Sequence, residues 1–565
     1  SQLPIPFLCV ACDLTDGSNV VLSNGVLSKA VRASMSLPSF FSPVKIDGRL
    51  LVDGGVINNF PVEEVKQKGV NTIIGVDVQS GLYGEAELNS VLTILEQVTS
   101  FYRVSANNKA VSMTDIYINP MLDKYQIMDF DDYDTIMKIG ELAAREFFPQ
   151  LKALADSLNS ISEKEPIQYN TQPLDSIFIT YIQYNGLKRV SREFLDGALD
   201  IDLRTWVKLN DLDEGFKRAY GSGFFENINY YLFPTEDGVG LVLNITESSS
   251  GTFGVGIHYD SDYNVSLLLN STFKNVGIKG SKWFTDLSLG ENPRFKSLYL
   301  VDRGSKIGFG SRLTFFNLEL NEYDNNNVVD VLMANQNMAE AFAQWTYRNT
   351  MRFQAGAAFE YTRIKSSFNE QIPDDYNSNL IGFINWSIDS YDKNQFSTSG
   401  HKLDISVKYI LPLGQDPANK VFSNSLIFSI KHFNNIHINN KNTFKPGIIA
   451  GFTAIDSRPP PQHYFIVGGQ SQINYFDAFI PFTGLRFVEN TGLYTLIGNI
   501  AWQYTLHKNL YITAKWNLGF VTSTFEELMN KPILLSGFGV TFSYNSYIGP
   551  IELSLMGSNV NSGMS

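Results

Sequence analysis

From residue 252 onward the polarity of the chain alternates with period two, one extended segment after another, with no helical layer between them. Between residues 510 and 520, Leu510, Ile512, Ala514, Trp516, Leu518 and Phe520 fall on one side. Tyr511, Thr513, Lys515, Asn517 and Gly519 fall on the other. Successive side chains of a strand point to opposite faces, so each such segment has one apolar and one polar face. Leu403, Ile405, Val407, Tyr409 and Leu411 repeat the pattern against Lys402, Asp404, Ser406 and Lys408, and Phe538, Val540, Phe542 and Tyr544 repeat it again. A soluble sandwich alternates too. The difference lies in the number of strands in series, about fifteen of roughly ten residues each, as expected of a sheet with lipid on one side and water on the other.

Composition points the same way. Charged residues make up 18% and aromatic residues 13%, with 41 Phe and 27 Tyr. No apolar run approaches the ~18 to 20 residues of a transmembrane helix. A chain that spans lipid without such helices must do so as a closed barrel, because hydrocarbon offers no partner to unpaired backbone groups. Bacterial single-chain barrels favour even strand numbers, and no aromatic-terminated final strand follows the one at residues 551–555, so a sixteenth strand is expected outside this sequence. The net charge of −13, with no cluster of Lys and Arg, argues against a nucleic-acid partner.

Residues 1–160 read differently, as short apolar strands mixed with amphipathic helices. Helices are expected at 88–105 and at 131–158, the latter with Ile136, Ile139, Ala143, Phe147 and Leu151 at helical spacing. Cys9 and Cys12 share one strand and fall on opposite faces, which is poor geometry for a disulfide. No second Cys pair or nearby His supports a metal or redox role, so they read as packing residues. Leu50, Leu51 and Val52 form a short buried-strand signal directly ahead of Asp53-Gly54-Gly55. The two glycines allow backbone angles that residues with a Cβ resist, and such a turn can hold a carboxylate at the mouth of a sheet. There it can take a proton from a serine hydroxyl and act as general base without a histidine. An isolated Asp-Gly-Gly is also an ordinary surface turn, so the surrounding residues decide.

Between these regions, residues 159–175 have the composition of a linker. Residues 176–247 then read as strand, helix, helix, strand, strand. A strand at 178–184 runs into an Asn185-Gly186 turn, and helices follow at 191–198 and 211–220, the second with Asn210 as N-cap and Gly221 as stop. A hairpin turns around Glu236-Asp237-Gly238.

The residues from 7 to 14, from 30 to 38, Phe41-Ser42-Pro43, Asp53-Gly54-Gly55 and Asn58-Asn59-Phe60-Pro61 together resemble the patatin-like phospholipase family. The resemblance continues through Gly75-Val76-Asp77-Val78 and residues 131–158, and so covers residues 1–160. It implies a serine acyl-ester hydrolase in which Asp53, on the turn completed by Gly54 and Gly55, is the base of a Ser-Asp dyad. The family sets its serine in a Gly-x-Ser-x-Gly elbow, preceded by a glycine-rich loop and a first helix, and none of these occurs in the 565 residues. The resemblance therefore implies a serine outside this sequence and a polypeptide about 150 to 200 residues longer, in keeping with usual domain sizes.

Residues 176–247 resemble a POTRA domain, particularly in Gly221-Ser222-Gly223-Phe224-Phe225. Such domains stand in the periplasm before outer-membrane barrels, where their edge strands can pair with client strands. Residues 250–565 resemble an Omp85 superfamily barrel, with Phe465-Ile466-Val467-Gly468-Gly469 similar to the approach to its long inward-folding loop. There the family carries an Arg-Gly pair before an aromatic residue, whereas this chain reads Gln472-Ile473-Asn474-Tyr475-Phe476. The missing arginine weakens an insertase or translocase reading and leaves Tyr475 and Phe476 to pack the loop against the wall. Arg458 before Pro459, Pro460 and Pro461 reads as a stiff spacer.

Together these resemblances imply a multidomain chain: a partial α/β patatin-like domain, a linker at 161–175, a small α+β POTRA domain and a sixteen-stranded antiparallel transmembrane β-barrel. The implied function is hydrolysis of membrane lipid esters at the bacterial outer membrane, with no metal or organic cofactor. The POTRA and lipase domains are expected in the periplasm, since a barrel of this size with a tucked-in loop leaves little room for a folded domain to pass. The alternatives are an assembly or translocation barrel with a vestigial lipase domain, or a structural component of an outer-membrane complex. Self-association as a homodimer stays open.

Overall fold

The computed structural model describes residues 3, 5–38, 40–79, 81–82, 84–85, 88, 94, 97–98, 101, 107–125, 132–161, 175–261, 264–304, 306–324, 327–366, 375–414, 422–454, 457–470, 475–530, 532–546 and 548–560. The chain divides into two compact units, Ser1–Thr171 and Gln172–Ser565.

In the first unit a four-stranded antiparallel sheet runs in the order Asn19–Leu22, Cys9–Asp13, Arg49–Asp53, Val44–Ile46. Helix Leu27–Ser34 lays Ala30 and Ala33 on this sheet, against Ala11 and Leu51. These small side chains let helix and sheet approach closely. Ile74–Val76 and Ile116–Ile118 form a separate parallel pair. At its end the buried Asp77 carboxylate accepts hydrogen bonds from the Tyr117 hydroxyl (2.9 Å) and the Asn107 amide (2.7 Å), which fixes both strand ends. The single helix expected at 131–158 is two, Tyr133–Glu146 and Phe148–Ile161. Pro149 explains the break: a first-turn position tolerates its missing N–H, while a helix interior does not. The helix expected at 88–105 falls mostly outside the described residues. Both cysteines are free thiols, Cys12 buried and Cys9 half-buried, in keeping with a packing role.

The second unit opens with a four-stranded sheet ordered Thr205–Lys208, Ser176–Asn185, Gly238–Glu247, Phe225–Thr235. Its central pair is parallel and its outer pairs are antiparallel. Helices Arg192–Leu199 and Leu209–Gly221 cover one face, around Ile179, Leu195, Leu212 and Leu241. The strand Thr205–Lys208 goes beyond the sequence pattern, being four residues long with Trp206 largely exposed. Ser191 caps the first helix by accepting the Phe194 N–H at 3.2 Å. The second helix starts two residues earlier than expected, after Lys208, so Asn210 lies within its first turn and is not its cap. At the end of the last strand, Glu247 accepts the N–H groups of Lys188, Arg189 and Val190 and pairs with the Arg189 guanidinium at 3.1 Å. That carboxylate pins the 186–190 turn onto the sheet.

Beyond it, fifteen antiparallel strands run as a meander from Gly251–Asp260 to Gly549–Ser558, each paired with the next in sequence. Among the described residues no ladder joins the first strand to the last. Among the described residues the sheet is therefore fifteen-stranded and open; fifteen is the number of strands counted in the sequence, and the sixteenth strand and the closure expected with it are not seen. Its polarity follows the sequence pattern. In the Leu510–Thr522 strand, Trp516 is 47% exposed while Thr513 and Asn517 are 8% and 7% exposed. Phe359 and Tyr361 face outward, and Glu360 and Thr362 between them are buried. A water-soluble protein distributes these residue types the other way round, and an apolar surface of this extent marks membrane contact.

Placing a charge on that surface tests the reading. Trp516→Arg is expected to lower folding stability in phospholipid vesicles by about 2–4 kcal/mol if the residue lies near the bilayer midplane. The inward Lys515→Arg should have little effect. Urea titration read by the heat-dependent gel shift of folded barrels measures both, and equal stability of the two variants would reject the lipid-facing assignment.

Candidate active site and the inward loop

The Arg49–Asp53 strand lies between two neighbours, and its Leu51 and Val52 are buried at 1% exposure each. This anchors the last residue, Asp53, whose backbone N–H donates to the Ser36 carbonyl at 2.9 Å. Asp53 caps the short 3₁₀ turn Gly54–Val56, its Oδ1 accepting the Gly55 N–H at 2.7 Å. Among the described residues Oδ2 accepts no hydrogen bond. One carboxylate oxygen is thus fixed and the other is open to a proton. Burial pushes the Asp53 carboxyl above its ordinary range, and the Gly55 N–H only partly offsets this. A raised pKa suits a general base that works near neutral pH.

The glycines are required here for a different reason from the one the sequence suggested. Neither Gly54 nor Gly55 has a left-handed φ. A Cβ on Gly54 would lie 2.4 Å from the Val10 carbonyl oxygen, and one on Gly55 would lie 2.7 Å from Asn59 Oδ1 and 3.0 Å from Asp53 Oδ1. The turn needs space, not unusual torsion. Ser36, whose carbonyl holds Asp53, is fully buried, and its hydroxyl is committed to the Arg32 carbonyl and guanidinium. Asn58 and Asn19 both donate to Glu64 Oε1, at 2.8 and 2.6 Å, which fixes the Asn58-Asn59-Phe60-Pro61 segment behind the turn. No periodicity marks Ser36 or Glu64, because both act through contacts distant in sequence. Among the described residues no group of His, Cys, Asp and Glu is arranged to hold a metal ion.

In the second unit, the described residues of the segment between the strands Asn442–Thr453 and Tyr494–His507 leave the sheet and pack on its inner face. Within this loop Phe465–Val467 pairs with Phe479–Ile480 in parallel and with Asn490–Gly492 antiparallel. Arg458 is pinned through its backbone to Ser423, and the prolines after it lead into a short 3₁₀ turn, Pro461–His463. Gln472, Ile473 and Asn474 lie outside the described residues. Tyr475 and Phe476 pack on the wall, each edge-to-face with Phe316 at 5.3 Å, and the Tyr475 hydroxyl donates to the Asn292 carbonyl at 2.6 Å.

Charge holds the loop at two further points. Asp477 Oδ2 lies 2.7 Å from the Lys408 ammonium, while Lys431 donates to the carbonyls of Asp477 and Phe479 at 3.3 and 3.1 Å. The Asp477 side chain is 71% exposed and that of Lys408 21%, so the pair is only partly shielded from solvent. Gln462 and His463 reach Glu360 at 3.0 and 2.9 Å, and Glu360 also accepts Gln336 and Asn379. Glu360 escaped the sequence reading as a lone acid on a polar face and Asp477 as a lone acid in a loop, each meaningful only once the loop folds inward.

Comparison with known proteins matches both halves. Residues 13–66 match the family described as patatin-like phospholipase. Two similar curated proteins are the lysophospholipase NTE1 of Candida glabrata and the patatin-like phospholipase domain-containing protein 7 of Mus musculus. The first is 31% identical over 178 residues, 27% of this chain and 10% of that protein. The second is 27% identical over 176 residues, 26% of this chain and 13% of that protein. The chain thus spans about a tenth of the length of these curated relatives. Among solved structures, BamA from Haemophilus ducreyi lacking POTRA domains 1–3 superposes with a TM-score of 0.51 at 14% identity, over 68% of this chain and 81% of that one, which shows a shared fold. Residues 239–561, more than half of the chain, match the OMP85 superfamily, and the chain belongs to it.

Proposed function

We propose that this protein is an outer-membrane-anchored lipid acyl hydrolase, in which a patatin-like domain is joined through a POTRA domain at residues 176–247 to a sixteen-stranded Omp85-type barrel. The observation that carries this reading is the Asp53 carboxylate, with Oδ1 held by the Gly55 N–H and Oδ2 left open. The dyad serine comes from outside these residues. Its hydroxyl proton passes to Asp53 Oδ2 as Oγ attacks the acyl carbonyl, and a glycine-rich loop stabilises the oxyanion. When the tetrahedral intermediate collapses, Asp53 returns the proton to the leaving alcohol. Water then repeats the sequence on the acyl-enzyme, and Asp53 again serves as base. The raised carboxyl favours this exchange, since a base with a pKa closer to the working pH transfers its proton in both directions with a smaller penalty.

A membrane lipid ester is the substrate class, in keeping with the curated lysophospholipases that match this segment. The apolar outer face of the sheet holds the enzyme beside that substrate, with the POTRA and lipase domains in the periplasm. No step in this scheme uses a metal or an organic cofactor.

Three substitutions in the full-length protein test the site. Asp53→Asn should leave the fold intact by circular dichroism and gel shift, while lowering esterase activity by about 10²–10⁴-fold. Full activity in this variant would reject Asp53 as the base. In the parent enzyme, kcat/KM should fall as pH drops, because the base must be ionised. The raised carboxyl puts that acid limb above the ordinary Asp value of about 3.9, and an acid limb at or below that value would contradict the buried setting. Gly54→Ala drives a Cβ against the Val10 carbonyl and should destabilise the domain by about 1–3 kcal/mol. The Gly55→Ala variant meets side chains that can move, and should fold better but hydrolyse poorly. Thermal melts paired with ester hydrolysis separate the two effects.

A further inference from the structure

We propose that the lumen of the OMP85-type sheet binds a phosphate-class anion, in the cavity between the inward loop and the strands that carry Lys296, Arg312 and Arg352. The cavity measures about 320 Å³, at the low end of the ~300–1,000 Å³ typical of small-ligand sites. Six Lys or Arg side chains and four Asp or Glu side chains line it.

Three of the four acids are already engaged. Glu340 pairs with Arg312 at 2.8 Å, Asp477 with Lys408 at 2.7 Å, and Glu360 is occupied by His463, Gln462 and Asn379. Asp404 alone is left opposite the remaining cations. Three cations of the cavity have donor capacity left. Among the described residues Lys296 makes no hydrogen bond or ion pair. Arg352 donates a single 3.3 Å bond to the Ser387 hydroxyl, and Arg312 Nε is buried without a partner. The register draws them together: Arg312 stands opposite Leu298, two residues from Lys296, and Ser387 stands opposite both Arg352 and Asp404. Arg312 repels both Lys296 and Arg352, while the carboxylates of Asp477 and Glu340 attract Lys296 and those of Asp404 and Asp389 attract Arg352.

Lys296, partly buried with its ammonium unpartnered among the described residues, and the unpartnered Nε of Arg312 leave donor capacity unspent in the cavity, and an anion placed among them takes it up. Donors converge from several strands, two of them guanidinium forks. Such a set suits a tetrahedral phosphoryl group with at least three acceptor oxygens better than a planar carboxylate with two. The phosphoryl group can come from free phosphate or from a phospholipid headgroup.

Isothermal titration of the detergent-solubilised protein at fixed ionic strength tests this, with two probes: sodium phosphate, and short-chain dihexanoyl phosphatidylglycerol. Saturable one-to-one binding is expected for at least one. The double variant Lys296→Gln/Arg352→Gln should weaken it at least tenfold, while Lys515→Gln, at a lumenal lysine lining a different cavity, should leave it unchanged. Binding of phosphate points to the free ion, and binding of the phosphatidylglycerol alone points to a headgroup; either supports the site. No saturable binding of either probe, binding within twofold of the parent in the double variant, or equal loss in Lys515→Gln would overturn it. Gel shift reports whether the double variant folds. If it does not, Lys296→Gln alone, which removes a lysine with no partner, carries the same criterion at threefold. Activity of the first unit plays no part in this readout.

Discussion

The inverted polarity of the large sheet is the constraint from which the rest of the second unit follows. An outer face of Trp516, Phe538, Phe359 and similar residues can be stable only against lipid. Lipid in turn forbids unpaired backbone, so the strands must run as one unbroken ladder of neighbours, as fifteen of them do. The inner face is then obliged to carry polar groups away from hydrocarbon. Those groups still need partners, and lumen water and the inward loop supply them.

The loop meets that need in a definite way. Its hydrophobic segments fill the space around Phe316, Phe342 and Ile497 with Phe476, Phe465 and Phe482, while its polar positions are spent on wall charges. Glu360 shows the balance best. At 1% exposure an isolated carboxylate would be strongly disfavoured, yet it accepts bonds from two wall amides, Gln336 and Asn379, and from two loop side chains, Gln462 and His463. Wall and loop each supply half of a shell that neither could complete alone. Asp477 meets Lys408 under milder conditions, only partly shielded from solvent, where such a pair sets register more than it adds stability.

What the sequence discloses depends on the range of the interaction that encodes it. The strand alternation at residues 402–411, 510–520 and 538–544 is local and periodic, and the structure shows the same faces. The Asp53-Gly54-Gly55 turn was legible as a motif, but the reason for its glycines was not. Their need for space comes from Val10 and Asn59, and the Val10 contact depends on a strand pairing that no local pattern reports. Pro149 was visible in the sequence, yet the continuous apolar spacing across it suggested one helix where the structure has two. Asn210 has the chemistry of a cap, but the helix starts after Lys208 and carries it inside. The short strand Thr205–Lys208 exists by pairing with Ser176–Asn185, and four residues with an exposed Trp206 give no periodic signal. The lumen charges were the least legible, because Lys296, Arg312 and Glu340 are ordinary polar-face residues, and Asp477 an ordinary loop acid, until the sheet curls and the loop enters.

That last point changes the weight of one sequence argument. The arginine that the superfamily carries in its inward loop is missing here, and its absence counted against an assembly or translocation role on the premise that the loop would lack its anchor. The structure supplies an anchor of opposite sign: the loop contributes the carboxylate of Asp477, and the wall contributes Lys408 and Lys431. Exchanging the charges between loop and wall leaves the Coulomb attraction unchanged, since it depends only on their product and separation. A missing arginine therefore carries little information about whether the loop is held, and cannot by itself separate an anchored hydrolase from an assembly barrel. The separation rests instead on Asp53. The two glycines are a packing requirement, since a Cβ on either would come within 2.4 to 2.7 Å of neighbouring atoms, so the hydrolase reading rests on the carboxylate itself, with one oxygen fixed and one open.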